Sequence, residues 1–152
     1  MLVSRLAKKV RVLLGIALVS VPTMARGQTP PKVPFNNQPC RSLTPADQVT
    51  LKMDGPLKET PFKAPGDLKL DNVCSYYHGG TRVSQIGFMT KADYDGNSHS
   101  NRSTSRQAPA DLPGAFYDAQ GGLWITKNGY YVVVSGKQAF REPVARLIAG
   151  KL

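Results

Sequence analysis

Few side chains in this 152-residue chain could do chemistry: two cysteines, Cys40 and Cys74, two histidines, His78 and His99, and ten acids. Nucleophilic catalysis needs an activated Ser or Cys beside a base, yet no Gly-x-Ser-x-Gly elbow occurs. His78 stands before Gly79-Gly80 in an expected turn, and His99 lies in a Ser-rich stretch, so both are expected at the surface. Glycosidase chemistry would need two acids facing across a cleft, and only Asp118 and Glu142 lie near the strongest elements. Asp93, Asp95, Gly96 and Asn97 alternate oxygen ligands as calcium prefers. An EF-hand loop starting there would require Gly at 98 and Glu at 104, where Ser98 and Thr104 stand. Asn101-Arg102-Ser103 is a formal glycosylation triplet. No catalytic residue, metal or cofactor is therefore expected. A small hydrolase of an envelope polymer, working through His78 or His99 with Asp95, stays open as an alternative.

The two cysteines acquire a role once the chain's address is considered. Arg5, Lys8, Lys9 and Arg11 form a basic start without acids, Val12 to Val21 is apolar, and Thr23-Met24-Ala25 puts small residues before a cleavage point. This is the pattern of a secretory signal peptide, cut after Ala25 or after Gly27. The apolar run is shorter than the roughly 20 residues that span a bilayer, so no membrane span is expected after cleavage. Removing residues 1–25 lowers the formal charge from +10 to +6, 16 basic residues against 10 acids. Those bases are scattered along the chain, whereas nucleic-acid binders gather them on one face among aromatics; no nucleic-acid partner is expected. In an oxidising compartment an even cysteine count reads as a disulfide, here Cys40 with Cys74. Zinc would want four ligands in closely spaced pairs, and no CxxC is present.

These residues need a frame. The strongest element is a hairpin: Leu123 to Thr126 and Tyr130 to Val134 are β-branched and aromatic runs split by Asn128-Gly129, which suits a type I′ turn. Ala115 to Tyr117, joined through Gln120-Gly121-Gly122, adds a third strand. Leu70 to Tyr77 and Arg82 to Thr90 form a second strand pair around Gly79-Gly80, with Ser84, Ile86 and Phe88 on one face. Thr44, Pro45 and Asp47 start a helix of two to three turns, whose stripe Ala46, Val49 and Met53 is expected to cover the sheet before Gly55-Pro56 ends it. A closing helix over Ala139 to Leu152 places Phe140, Val144, Leu147 and Ile148 on one face, with Pro143 expected in its first turn. Residues 26–39 read as a flexible lead-in from which Val33 and Phe35 could dock, 56–69 as a loop, and 91–111 as a long connection without apolar periodicity. The expected fold is therefore α+β: an antiparallel sheet of about five strands, two helices packed on one face, and one disulfide, within a single domain over 40–152.

With Cys40, Leu43-Thr44-Pro45-Ala46-Asp47, Cys74-Ser75-Tyr76 and the terminal hairpin plus helix in place, about two-thirds of the chain resembles small exported bacterial domains of unknown function. It lacks the lipid-accepting Cys at the cleavage site that lipoprotein members carry. The resemblance implies export and an α+β architecture and is silent on chemistry. The expected function is a periplasmic or secreted binding module without catalytic activity, facing an unknown protein or envelope component. A narrower form is an inhibitor or immunity-type protein that blocks an envelope enzyme. Tyr76, Trp124, Tyr130 and His99 are the candidate contact residues, because Tyr and Trp combine contact area with a polar handle.

Overall fold

A computed structural model describes residues 30–52, 58–62 and 72–152. The expected signal peptide, Met53, the Gly55-Pro56 stop and Leu70 lie outside these residues.

Six strands form one antiparallel sheet: β1 (Lys58–Phe62), β2 (Val73–His78), β3 (Thr81–Met89), β4 (Phe116–Tyr117), β5 (Leu123–Lys127) and β6 (Tyr130–Gly136). Their spatial order is β1-β2-β3-β6-β5-β4. Two hairpins build its centre. Asn128 and Gly129 sit at φ +52° and +78°, the left-handed pair that turns β5 into β6 without splaying the strands. Gly79 and Gly80, at φ +54° and +76°, do the same between β2 and β3, with a register shift at Tyr76/Tyr77. The hairpins join where β3 meets β6, Ile86 opposite Val134 and Phe88 opposite Val132.

Strand alternation then sorts the side chains into two faces. On the first, Cys74, Tyr76, Ile86, Phe88, Val132, Val134, Leu123 and Ile125 form a core with Val144, Ala145 and Ile148 of the C-terminal helix α4 (Gln138–Lys151). On the second, one cross-strand row runs Phe62, Val73, Gly87, Val133, Trp124, Phe116 through all six strands. The α+β class and the Cys40–Cys74 disulfide, with Cα atoms 5.1 Å apart, are present as expected.

The departures have physical reasons. The sheet has six strands rather than five because β1 lies in the stretch read as a loop; all five of its residues are exposed, so no apolar alternation betrays it. The helix α2 (Pro45–Thr50) is closed by a reciprocal cap between Thr44 and Asp47, but its expected apolar stripe does not cover the sheet. Val49 is 77% exposed, and Leu43 and Leu51, which flank the helix, are buried instead. Among the described residues, only α4 therefore lays an apolar helix face on that side of the sheet. It begins at Gln138, which places Pro143 inside it rather than in its first turn; Ala139, whose carbonyl loses its helical donor, is exposed to solvent. The connection read over 91–111 contains a ten-residue helix, α3 (Lys91–Ser100), capped reciprocally by Thr90 and Asp93. The lead-in is docked over its described part. Pro31, Val33 and Pro39 are buried, a single left-handed turn, α1 (Pro34–Asn37), puts the Phe35 ring 6.4 Å from that of Phe88, and a 3-10 turn over Pro39–Ser42 carries Cys40.

Candidate functional site

After α3 the chain runs back along β4, and this return positions the site. Ser103 N–H donates to Tyr117 O and Ala119 N–H to Asn101 O, each at 2.7 Å, so residues 101–103 lie beside 117–119. The chain then reverses in a tight turn from Asp118 to Gly121, closed by Gly121 N–H to Asp118 O at 2.9 Å. Asp118 is 8% exposed, and its carboxylate is fully engaged: it accepts Gly122 N–H and Trp124 Nε1–H, each at 2.7 Å. The carboxylate holds the turn; it is not free to act on a ligand.

Beside this turn opens a polar cleft of about 280 Å³, lined by Ser103, Ser105, Arg106 and Arg141 and by the turn itself, Asp118 to Gly121. Two elements supply its cations. Arg106, from the connection after α3, lies over the Tyr117 ring at 5.6 Å. Arg141, from the first turns of α4, donates Nε–H to Gly136 O at 2.9 Å. Each guanidinium is thus held by a contact that leaves other N–H groups unused. Gly121, at φ +83°, leaves room between them: a β-carbon there would stand 3.0 Å from Arg141 Nη1 and 3.4 Å from Arg106 Nη1. Those two distances put the Nη1 atoms within about 6.4 Å of one another, close enough for a mutual repulsion on the order of 1 kcal/mol at a solvent-facing site.

Among the described residues neither arginine has a carboxylate partner; Asp118, the acid in the cleft lining, is bound to the turn. The ion pairs among the described residues join Lys91 to Asp95, Arg146 to Asp111 and Glu142, and Lys151 to Asp47. The Tyr117 phenol, close to both arginines, is nonetheless raised above its ordinary value. Burial and its hydrogen bond to Glu142, at 3.1 Å, push its phenol up, while Arg141 and Arg106 pull it down. Ser103 Oγ and Ser105 Oγ, 3.2 Å apart, add hydroxyls to the cleft. The arrangement is a concentration of donors with open valences, which an anion would satisfy. Two larger hollows offer less. In one, Arg146 is already paired with Asp111; in the other, near the disulfide, Lys151 is paired with Asp47.

Comparison with protein families, curated proteins and solved structures gives no match. The reading of the cleft therefore stands on its own geometry.

The four expected contact residues are dispersed. Tyr76 is fully buried, donating its hydroxyl to Cys40 O at 3.1 Å, and burial pushes its phenol up to about 12. It braces the disulfide and offers no surface. Trp124 is 5% exposed on the second sheet face, stacked on Phe116 at 6.0 Å beneath Tyr94 of α3. Tyr130 is half-buried at the edge of the core. His99 is exposed on α3, its Nδ1 2.6 Å from Asp95 O, while the Asp95 carboxylate pairs with Lys91. His78 ends β2 at the Gly79-Gly80 turn, whereas α3 leaves the far end of β3, so His78 and Asp95 lie on separate elements; His99 stands one turn from Asp95 and meets its backbone carbonyl, the carboxylate being held by Lys91. Asp93 and Asp95, with Gly96 and Asn97, lie on α3 rather than in a loop, and among the described residues no three His, Cys, Asp or Glu side chains gather as a metal group. Arg106 and Arg141 were missed because they lie 35 positions apart. The one signal was Gly121-Gly122, which marks a turn and not what converges on it.

Proposed function

We propose that this chain is an exported binding module, fastened by its disulfide, that takes an anionic ligand in the Arg106–Arg141 cleft without transforming it. The observation that carries the reading is the approach of two unpaired guanidinium groups to one glycine, each oriented by an uncharged contact. Binding rather than turnover is favoured because the cleft presents donors, its buried acid is occupied by the turn, and the histidines lie on other elements. Export is supported by the basic and apolar leader pattern and by the Cys40–Cys74 bridge. Among the described residues no helix is long and apolar enough to cross a membrane.

The test has two parts. Mass spectrometry of the native chain should find the leader removed and both sulfurs bonded. Thermal unfolding in a series of simple anions at constant ionic strength should show stabilisation, about 2.7 kcal/mol at one hundred times Kd. The double variant Arg106→Gln, Arg141→Gln should lose it. Equal stabilisation of that variant, or none of the wild type by any anion, would remove the cleft from the reading.

A further inference from the structure

Resting on the reading of the cleft as a binding site, we infer that its ligand is a phosphate monoester carried on a small polar organic group. Two kinds of donor meet there: the guanidinium groups of Arg106, from the connection after α3, and Arg141, from α4, and the paired hydroxyls of Ser103 and Ser105. A carboxylate has two oxygens in one plane, enough to bridge two guanidinium groups. It has no third oxygen for the Ser103 and Ser105 hydroxyls on the same cleft wall. A phosphate monoester presents three terminal oxygens in different directions, accepts without donating when doubly ionised, and carries close to two negative charges at neutral pH. With two unpaired guanidinium groups against the one Asp118 carboxylate, the cleft lining keeps a net positive charge that draws such an anion.

The cleft, about 280 Å³ and open to solvent, leaves space beside a bound phosphate group for a carrier. The rest of the cleft lining is the acid Asp118 with Ala119, Gln120 and Gly121, so the space suits a hydroxylated carrier better than an apolar one. Gly121 is the gate. A methyl group there would stand 3.0 Å from Arg141 Nη1, on the line where a phosphate oxygen would meet both cations.

The experiment is amide-resolved NMR titration of the native, oxidised protein with four probes: glycerol 3-phosphate, methyl phosphate, inorganic phosphate and acetate, at matched ionic strength. Shifts should concentrate at 103–106, 120–122 and 141. Glycerol 3-phosphate should bind severalfold tighter than methyl phosphate and at least tenfold tighter than acetate. Arg106→Gln and Arg141→Gln should each weaken it tenfold or more. Both side chains reach solvent, so folding is checked by the unchanged Trp124 environment. Gly121→Ala should weaken the phosphate esters even where the arginines are intact. Acetate binding as tightly as the esters would overturn the phosphate assignment and leave the anion cleft standing. Inorganic phosphate matching glycerol 3-phosphate would overturn the carrier. Absence of binding by every probe would overturn the cleft itself.

Discussion

Reducing the disulfide tests the fold's dependence on its one covalent cross-link. Cys40 and Cys74 are 34 residues apart. In the chain-entropy treatment, closing a loop of that length removes about 12.6 cal/mol/K from the unfolded chain, which is about 4 kcal/mol at 25 °C. Domains of this size are stable by only about 5–15 kcal/mol, so the bridge is a large share of the whole. Reduction is preferable to substitution here. Cys74 has no exposed surface, and Cys74→Ala would add a cavity cost to the entropic one. The reduced thiols keep nearly the same packing, and the Tyr76 hydroxyl still has Cys40 O and Ser42 Oγ within reach. The assay is urea unfolding of oxidised and fully reduced protein, followed by fluorescence of Trp124, which is buried and bonded to Asp118. With an m value of about 2 kcal/mol/M, the midpoint should fall by about 2 M. A fall below about 0.5 M would mean that non-covalent packing of the 3-10 turn on β2 already confines this loop, and the cross-link argument would fail.

Three further outcomes follow from other contacts. Asp118→Ala strips the acceptor from Gly122 N–H and the buried Trp124 Nε1–H; a loss of about 2–4 kcal/mol is expected in the same urea assay, and a loss below about 1 kcal/mol would show that water replaces the carboxylate. Gly136→Ala should prevent folding or cost more than about 3 kcal/mol, judged by soluble yield and near-UV circular dichroism: Gly136 sits at φ +116°, and a β-carbon would stand 2.5 Å from Val83 O. Asp47 supplies an acid-side dependence. Its burial alone would raise the carboxyl, but hydrogen bonds from Lys151 and Thr44 outweigh that and hold it below its ordinary value of 3.8. A depressed folded pKa contributes stability above the unfolded value and loses it as pH falls through the folded one. The wild type should therefore lose up to about 1 kcal/mol relative to Asp47→Asn below about pH 4. Parallel Tm-against-pH curves for the two proteins would contradict this.

What the chain discloses in sequence depends on whether an element is specified by local backbone chemistry or by partners far away. The β5–β6 hairpin was legible because Asn128 and Gly129 must both take positive φ, a demand written in adjacent residues. The α4 stripe was legible because Val144 and Ile148 recur at helical spacing and both are fully buried. The helix α3 was hidden for the opposite reason: it has no buried residue, and Tyr94 alone joins it to the rings of Phe116, Trp124 and Tyr131. Yet Thr90-Lys91-Ala92-Asp93 carries the same Thr-x-x-Asp cap that Thr44 and Asp47 display. A cap weighed equally with periodicity would have found that helix. The reverse error struck α2, where periodicity outweighed length; six residues cannot turn a stripe onto the sheet when Leu43 and Leu51 on either side bury themselves first. The cleft belongs to a third class. Arg106 stacks on a ring from β4, Arg141 leans on the end of β6, and both reach Gly121 only because Asp118 folds its turn between them. No pair of neighbouring residues encodes that meeting, so the sheet had to be in hand before the site could be seen.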